Sequence, residues 1–328
     1  MTCLFAMSTT NLITDHSALL ALKSSITFEY PHNLLPRNWS SFSLVCTWVG
    51  VTCGNRHQRV RTLNLTNMGL TGIIPPQLGN LSFLVDLDLT GNNFHGHLPP
   101  ELAMLRRLKM VNLSQNMFNG EIPAWIMGSL RNLQHLILFQ NNFSGSIQIF
   151  PHNISKLENL NLNGNCIEGN IQPEIGKLSN LKILQIAQNR LSGIIPSTIF
   201  NISGLQQINL ARNNLSGSIP KEMGDISELR RISFHRNGFS GSIPRAIFNN
   251  SKLEGLDLAF NNLVGSLPSN MCPNLSKLKF LYLDRNALSG QLGSGSIGNC
   301  TSLIELSLDA NSFTGSIPWE IVDLHNLE

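Results

Sequence analysis

The chain has no run of the ~18–20 uninterrupted apolar residues that a membrane-spanning helix needs, although 42% of its 328 residues are hydrophobic. Charge is scarce, at 13% of residues. The 23 Lys and Arg against 20 Asp and Glu leave a net charge of +3, with no basic cluster, which argues against nucleic acid as a partner. A polar surface poor in ions must be built from Asn, Ser, Thr and Gln, a composition common in extracellular repeat proteins. The amino terminus lacks the cationic start and ~7–15-residue apolar core of a secretory signal. Residues 1–7 offer only Cys-Leu-Phe-Ala-Met after Thr2, so residues 1–14 read as a remnant or incomplete signal segment.

Signals for chemistry are also missing. No G-x-S-x-G elbow and no kinase motif occurs. The stretch Gly293-Ser294-Gly295-Ser296-Ile297-Gly298 matches G-x-G-x-x-G, but lacks the strand before it, the helix after it and the acidic residue that a dinucleotide site requires. His95 and His97 share a loop without a third ligand, and the other His are scattered. No catalytic residue, metal or cofactor is expected.

What is present is a repeat. The pattern L-x-x-L-x-L-x-x-N-x-L-x-G-x-I-P recurs eleven times, starting at Val60, Leu84, Leu108, Leu133, Leu157, Leu181, Leu205, Leu229, Leu253, Leu278 and Leu303. Successive starts are 24 or 25 residues apart, which identifies a leucine-rich-repeat solenoid. Repeats fill residues 60–326, and a twelfth begins at 327–328. The end of L-x-x-L-x-L alternates, as in Leu63-Asn64-Leu65, and reads as a short strand with one buried face. Copies should stack in parallel at about 4.8 Å. Ten repeats carry Asn in the next slot, from Asn92 through Asn311, and the first has Met68. An interior amide is tolerable only when its donors and acceptor are satisfied, so this column should bond the backbone of adjacent turns. Gly holds its slot in all eleven repeats, from Gly72 to Gly315, a sign of positive φ or close backbone approach. Pro follows in eight repeats and is replaced by Gln148, Gln172 and Gly293 in the others, which suits an irregular lateral edge.

Residues 15–59 form a cap that can cover the open apolar end of the first repeat. Residues 14–30 have helical spacing (Leu19, Leu22, Ile26), with Asp15 as N-cap. Cys46 and Cys53 flank Trp48 and suit a small disulfide loop. Cys272 and Cys300, 28 residues apart, could bridge neighbouring repeats or remain two thiols. No comparable cap is evident at the carboxyl end.

These residues closely resemble the extracellular domains of plant leucine-rich-repeat receptor-like kinases. The cap Asp15-x-x-Ala18-Leu19-Leu20-Ala21-Leu22-Lys23, the loop Cys46-x-Trp48-x-Gly50-Val51-x-Cys53 and the L-x-G-x-I-P repeat carry the match. His57-Gln58-Arg59-Val60 followed by Met68-Gly69-Leu70-Thr71-Gly72 looks most like the subfamily that includes immune receptors for bacterial proteins. The resemblance implies a right-handed superhelix with a parallel β-sheet on its concave face, placed outside the plasma membrane. It also implies a peptide or protein ligand, with a co-receptor kinase engaged near the carboxyl-terminal repeats of the full-length protein. Against the family pattern, the chain reads as a truncated ectodomain. The alternative is a secreted inhibitor of microbial cell-wall-degrading enzymes, like those that block polygalacturonases.

One column suggests where a ligand sits. Arg212, Arg236, Phe260 and Arg285 each precede the ladder Asn, with Arg230, Arg231, His235 and Tyr282 on nearby strand positions. Arg and aromatic residues are enriched in binding hot spots, and a cationic strip with aromatic plates suits an acidic or aromatic-bearing peptide. Ile137 and Phe139 form a smaller apolar patch. The inner-face Arg-x-Arg pair with which some family members grip a free carboxylate is absent; Arg59 and Arg61 have that spacing but lie at the cap junction. Eleven N-x-[ST] sequons occur, at Asn38, Asn64, Asn80, Asn112, Asn142, Asn153, Asn201, Asn214, Asn249, Asn274 and Asn299. Asn80, Asn153, Asn201, Asn249, Asn274 and Asn299 should line one rib away from the strands. Asn64 and Asn112 should face the concave side, so that glycans there would block the first three repeats.

Overall fold

The computed structural model describes residues 2–28, 38–148, 155–269, 271–292 and 297–328. The chain divides into two units, Met1–Cys166 and Ile167–Glu328, and both are stacks of the same coil.

In the first unit the strand Val60–Asn64 is followed in parallel by Asp86–Asp88, Met110–Asn112, His135–Ile137 and Asn159–Asn161. The register puts Leu63, Leu87, Val111, Leu136 and Leu160 in one inward column, which is how a 24-residue period becomes a core. In the second unit Ile183–Gln185, Gln207–Asn209, Arg231–Ser233, Gly255–Asp257, Phe280–Tyr282 and Glu305–Ser307 continue the pattern. Leu184, Ile208, Ile232, Leu256 and Leu281 are their inward column.

Ahead of the proline slots, which lie outside any strand as expected, a second ladder runs. Strands such as Asn93–Gly96 and Met117–Glu121 in the first unit, and Asn214–Ser218 and Gly238–Ser242 in the second, pair in parallel across turns. The glycine column is what permits this. Its members from Gly96 to Gly315 hold φ between 71° and 90°, a region L-residues avoid. The prolines that follow are extended and lead into short 3-10 turns, among them Pro76–Asn80 and Lys221–Asp225.

The asparagine ladder binds each turn to the next. Asn141 Nδ2 donates to Leu113 O in the preceding turn (2.9 Å) and to Leu138 O in its own (3.2 Å), while Oδ1 accepts from Phe118 N (3.0 Å). Asn213, Asn237, Asn261, Asn286 and Asn311 repeat this geometry in the second unit. The first unit adds a spine of Phe94, Phe118 and Phe143, fully buried and stacked with centroids 6.0 and 6.2 Å apart.

The cap differs from its sequence reading in two respects. Its helix spans Thr2–Ser24, so Asp15 is not an N-cap but lies within the helix. Buried there, Asp15 receives two bonds from Arg59 (2.8 and 2.7 Å) and one from Val60 N (2.9 Å). A carboxylate in that position is stable only because a guanidinium and an amide meet it. Ile26 belongs not to the helix but to the strand Ile26–Phe28, antiparallel to Leu70–Gly72. Trp39 and Trp48 stack at 5.2 Å and seal the cap core. Cys46 and Cys53 are bonded, and Cys272 and Cys300 form a second disulfide. The last turn leaves Ile317, Trp319 and Val322 exposed.

Two predictions follow from this packing. Asn141→Ala removes the acceptor of Phe118 N–H and leaves the Leu113 carbonyl only its bond from Asn116 Nδ2 (3.1 Å), and should cost about 1–3 kcal/mol; hydrogen exchange should show the adjoining turns opening first. Replacing Cys272 and Cys300 by Ser should lower stability by about 2–4 kcal/mol, since the bridge closes a 28-residue loop. Urea unfolding of the second unit with and without reductant would measure it.

Candidate ligand-binding face

Alternate residues of the second unit's main strands point away from the core and form rows across it. One row runs Gln207, Arg231, Gly255, Phe280, Glu305; the next runs Asn209, Ser233, Asp257, Tyr282, Ser307. Gly255 leaves a gap in the first row. Around it lies a groove of about 290 Å³ lined by Gln185, Gln207, Arg231, Ser233, Asp257, Phe280 and Tyr282, among others. A Cβ added at Gly255 would meet Phe280 at 3.9 Å, ordinary contact, so the glycine is spatially replaceable and the opening is not a backbone requirement.

All eight residues singled out from the sequence fall in this unit, but they are not a bare cationic strip. Arg230 and Arg231 both approach Glu254, at 3.8 and 4.0 Å. His235 Nδ1 lies 2.6 Å from Asp257 Oδ2, with Ser233 Oγ within 3.1 Å of both. Arg212 Nε donates to His235 Nε2 (3.4 Å), which assigns the ring proton to Nδ1, where it bonds Asp257. The Tyr282 hydroxyl donates to Glu305. Burial first, then this hydrogen bond and the charges of Glu305 and Asp257, push its pKa up to about 12.

The column before the ladder Asn has a conformational identity that the sequence reading missed. Arg212, Arg236, Phe260 and Arg285 hold φ of 53° to 56°, and Gln188 and Ala310 share the slot at 54° and 51°. Non-glycine residues reach this region at roughly 1–2 kcal/mol. Inter-turn bonds offset the strain: Arg212 N donates to His235 O, Arg236 N to Ala259 O and Phe260 N to Asp284 O, at 2.8 to 3.0 Å. On the outer side, the guanidinium carbons of Arg236 and Arg285 lie 4.6 and 5.0 Å from the Phe260 ring centroid. Phe260 is therefore covered by two cations, and neither has a carboxylate partner among the described residues. Gly255, Phe280, Glu254, Asp257 and Glu305 were not anticipated. Glu254, Gly255 and Asp257 each lie one repeat from a residue that was, and Phe280 and Glu305 continue the row of Arg231 and Gly255, so aligning the repeats in columns could have found them.

Among the expected sequons, Asn80, Asn201, Asn249, Asn274 and Asn299 are exposed, and the first four end 3-10 turns. Asn142 and Asn214 are exposed at the start of second-ladder strands. Asn64 is exposed on the main sheet of the first unit. Asn112 is half-buried there, with its amide directed at Asp88 and Ser114. Asn38 is half-buried, accepting from Val49 N and lying 3.5 Å from Thr47 O. Asn153 lies outside the described residues. Ile137 and Phe139 are half-buried in the first unit.

Known proteins share both the cap and the coil. The leucine rich repeat N-terminal domain family matches residues 12–54, and leucine rich repeat families match residues 59–81, 83–105, 156–178, 179–239 and 252–274. The LRR receptor-like serine/threonine-protein kinase EFR of Arabidopsis thaliana is 45% identical over 82 residues, which are 25% of this chain and 8% of that protein. Among solved structures, PEPR1 in complex with AtPEP1 superposes with a TM-score of 0.83 at 31% identity, over 96% of this chain and 47% of that one. The chain is a leucine-rich-repeat protein homologous to the ectodomains of plant receptor kinases. The ectodomain of the Arabidopsis thaliana receptor kinase GASSHO1/SCHENGEN3, in complex with CASPARIAN STRIP INTEGRITY FACTOR 2, agrees at 33% identity and a TM-score of 0.72, over 94% of this chain and 43% of that one. The chain thus spans less than half of these solved ectodomains, and the EFR match covers a small part of that kinase. The shared fold is a ligand-binding, non-catalytic one. These receptor relatives do not favour the secreted-inhibitor alternative.

Tyr282 offers a direct check of the site's electrostatics. In a Tyr30→Phe variant, absorbance titration should find the remaining tyrosine still largely protonated at about pH 11, where a free phenol is ionised. Glu305→Gln should bring its midpoint back towards the ordinary value.

Proposed function

We propose that this chain is a ligand-binding ectodomain portion of a plant receptor kinase, and that it takes a peptide or protein segment on the main sheet of its second unit. The groove over Gly255 carries the reading. It is a concave opening in a surface otherwise covered by paired polar side chains, with Phe280 and Tyr282 on one side, Arg231 on the other, and the Arg236–Phe260–Arg285 stack on the same unit. An apolar side chain fits the gap, and a carboxylate on the same ligand meets a guanidinium that has no acidic partner. The ectodomain of the Arabidopsis receptor kinase HAESA, solved in complex with an IDA peptide hormone ligand, shares the scaffold, which supports the ligand class. A microbial source for the ligand rests on the resemblance of His57–Val60 and Met68–Gly72 to immune receptors. An extracellular setting, glycans on the exposed rib and a co-receptor kinase in the full-length protein belong to the same proposal.

Two variants separate the parts of this site. Gly255→Leu fills the groove while leaving the backbone unstrained. Arg212→Gly, Arg236→Gly and Arg285→Gly remove the column without a conformational penalty, because Gly91 and Gly164 occupy the same left-handed slot elsewhere. Peptides selected from a random display library on the intact protein should bind either variant at least about tenfold more weakly. Selected peptides that bind both variants with unchanged affinity would refute the assignment.

A further inference from the structure

The first unit contains a cavity of about 680 Å³ between the disulfide loop and the first strands, independent of the site proposed above. Its volume lies within the ~300–1,000 Å³ range of pockets that enclose a small ligand. Arg56, His57, Arg59, Arg61, Phe83 and Arg107 line it, and no Asp or Glu does. In a chain with a net charge of only +3, four arginines around one cavity is a concentration of positive potential.

These cations are not equivalent. Arg59 is buried and held bidentate by Asp15, with a further bond to Ser82 Oγ at 3.3 Å, so its charge is matched and its position fixed. Its guanidinium carbon lies 4.7 Å from the Phe83 ring centroid, and that of Arg107 lies 4.0 Å from it. The His57 ring meets the same phenyl edge-on, with centroids 5.6 Å apart. Phe83 thus fixes Arg107 against a wall set by the buried ion pair, while the ring leaves the cation's charge uncancelled. Arg56, Arg61 and Arg107 form no ion pair among the described residues. Asp86 lies on the adjoining strand, but accepts from Thr62 at 3.2 Å instead. The loop carrying Arg56 and His57 is closed by Gln58 N to Gly54 O and Gly54 N to Arg59 O, both 2.9 Å, and tied by the Cys46–Cys53 disulfide.

Arg107 is held against Phe83, while Arg56 and Arg61 stand exposed on a backbone fixed by the loop closure and the first strand, so three unpaired guanidiniums converge on one cavity before any anion binds. The frame also selects among anions. With four guanidiniums and no carboxylate beside apolar Phe83 and Val85, the lining favours a ligand bearing several carboxylates over one held through neutral hydroxyls. We infer that this cavity, framed by the Asp15–Arg59 pair and Phe83, is a second binding site for an acidic peptide segment, whose carboxylates pair with Arg56, Arg61 and Arg107.

The experiment uses protein freed enzymatically of N-glycans and carrying Arg212→Gly, Arg236→Gly and Arg285→Gly, so that the other unit's column cannot contribute. The probe is a fluorescein-labelled tetraglutamate peptide, followed by anisotropy, with tetraglutamine as control. Binding of the acidic probe alone, weakened by salt and by at least about tenfold on adding Arg56→Ser, Arg61→Ser and Arg107→Ser, is the expected result. All three arginines are exposed, and circular dichroism would verify that the variant folds. The assignment fails if the probe does not bind, or if the added substitutions leave its affinity unchanged. It fails equally if tetragalacturonate binds more tightly than the peptide, or if inorganic sulfate displaces the probe at equal concentration. The Gly255 groove and Arg231 are the same with and without Arg56→Ser, Arg61→Ser and Arg107→Ser, so the loss on adding these substitutions reports on the first-unit cavity alone.

Discussion

A buried primary amide holds each turn of this coil to its neighbours. A 24-residue turn with short strands leaves many backbone donors and acceptors facing the interior, and no helix satisfies them there. One asparagine side chain supplies two donors and an acceptor at a point where two turns meet, and it bonds backbone from both. The residue before it must then adopt a left-handed conformation, and its own N–H is bonded to the following turn. Strain and hydrogen bonding are coupled at this corner, as at Gln140, Arg212, Arg236 and Phe260.

That coupling shapes the binding faces. The left-handed corner holds its side chain at a fixed place beside the strand, and a repeat of constant length brings such side chains together from turn to turn. Arg236, Phe260 and Arg285 stack for this reason, and not because of any local sequence preference. The rows across the main strands are set by the same register. A single glycine in one row is enough to open a groove, because its neighbours are held by their own turns and do not collapse into it.

At the cap, one ion pair performs a comparable task with different chemistry. Asp15 reaches Arg59 and the first strand's amide across 44 and 45 residues of sequence, joining the amino-terminal helix to the start of the repeats. Fixing Arg59 also fixes the wall against which Phe83 and Arg107 pack. The cavity there is a by-product of closing the coil's first end with a polar contact as well as an apolar one.

Period, strand positions, the asparagine ladder, the glycine column and the Cys46–Cys53 loop were all legible in the sequence, because each reflects a rule that acts within one repeat or one short loop. Asp15 was misassigned as an N-cap because its partner lies far along the chain, and local patterning carries no information about such a contact. Spacing left the Cys272–Cys300 bridge undecided, since it depends on how closely two turn ends approach. The arginine column was visible as residues, but its pairing was not: Glu254, Asp257 and Glu305 acquire meaning only when strands 24 or 25 residues apart lie side by side. Sequence alone therefore determined the coil and the kind of surface it presents. Tertiary packing decided which charges on that surface are already matched and which remain for another molecule, because ion pairing is set by distance in space.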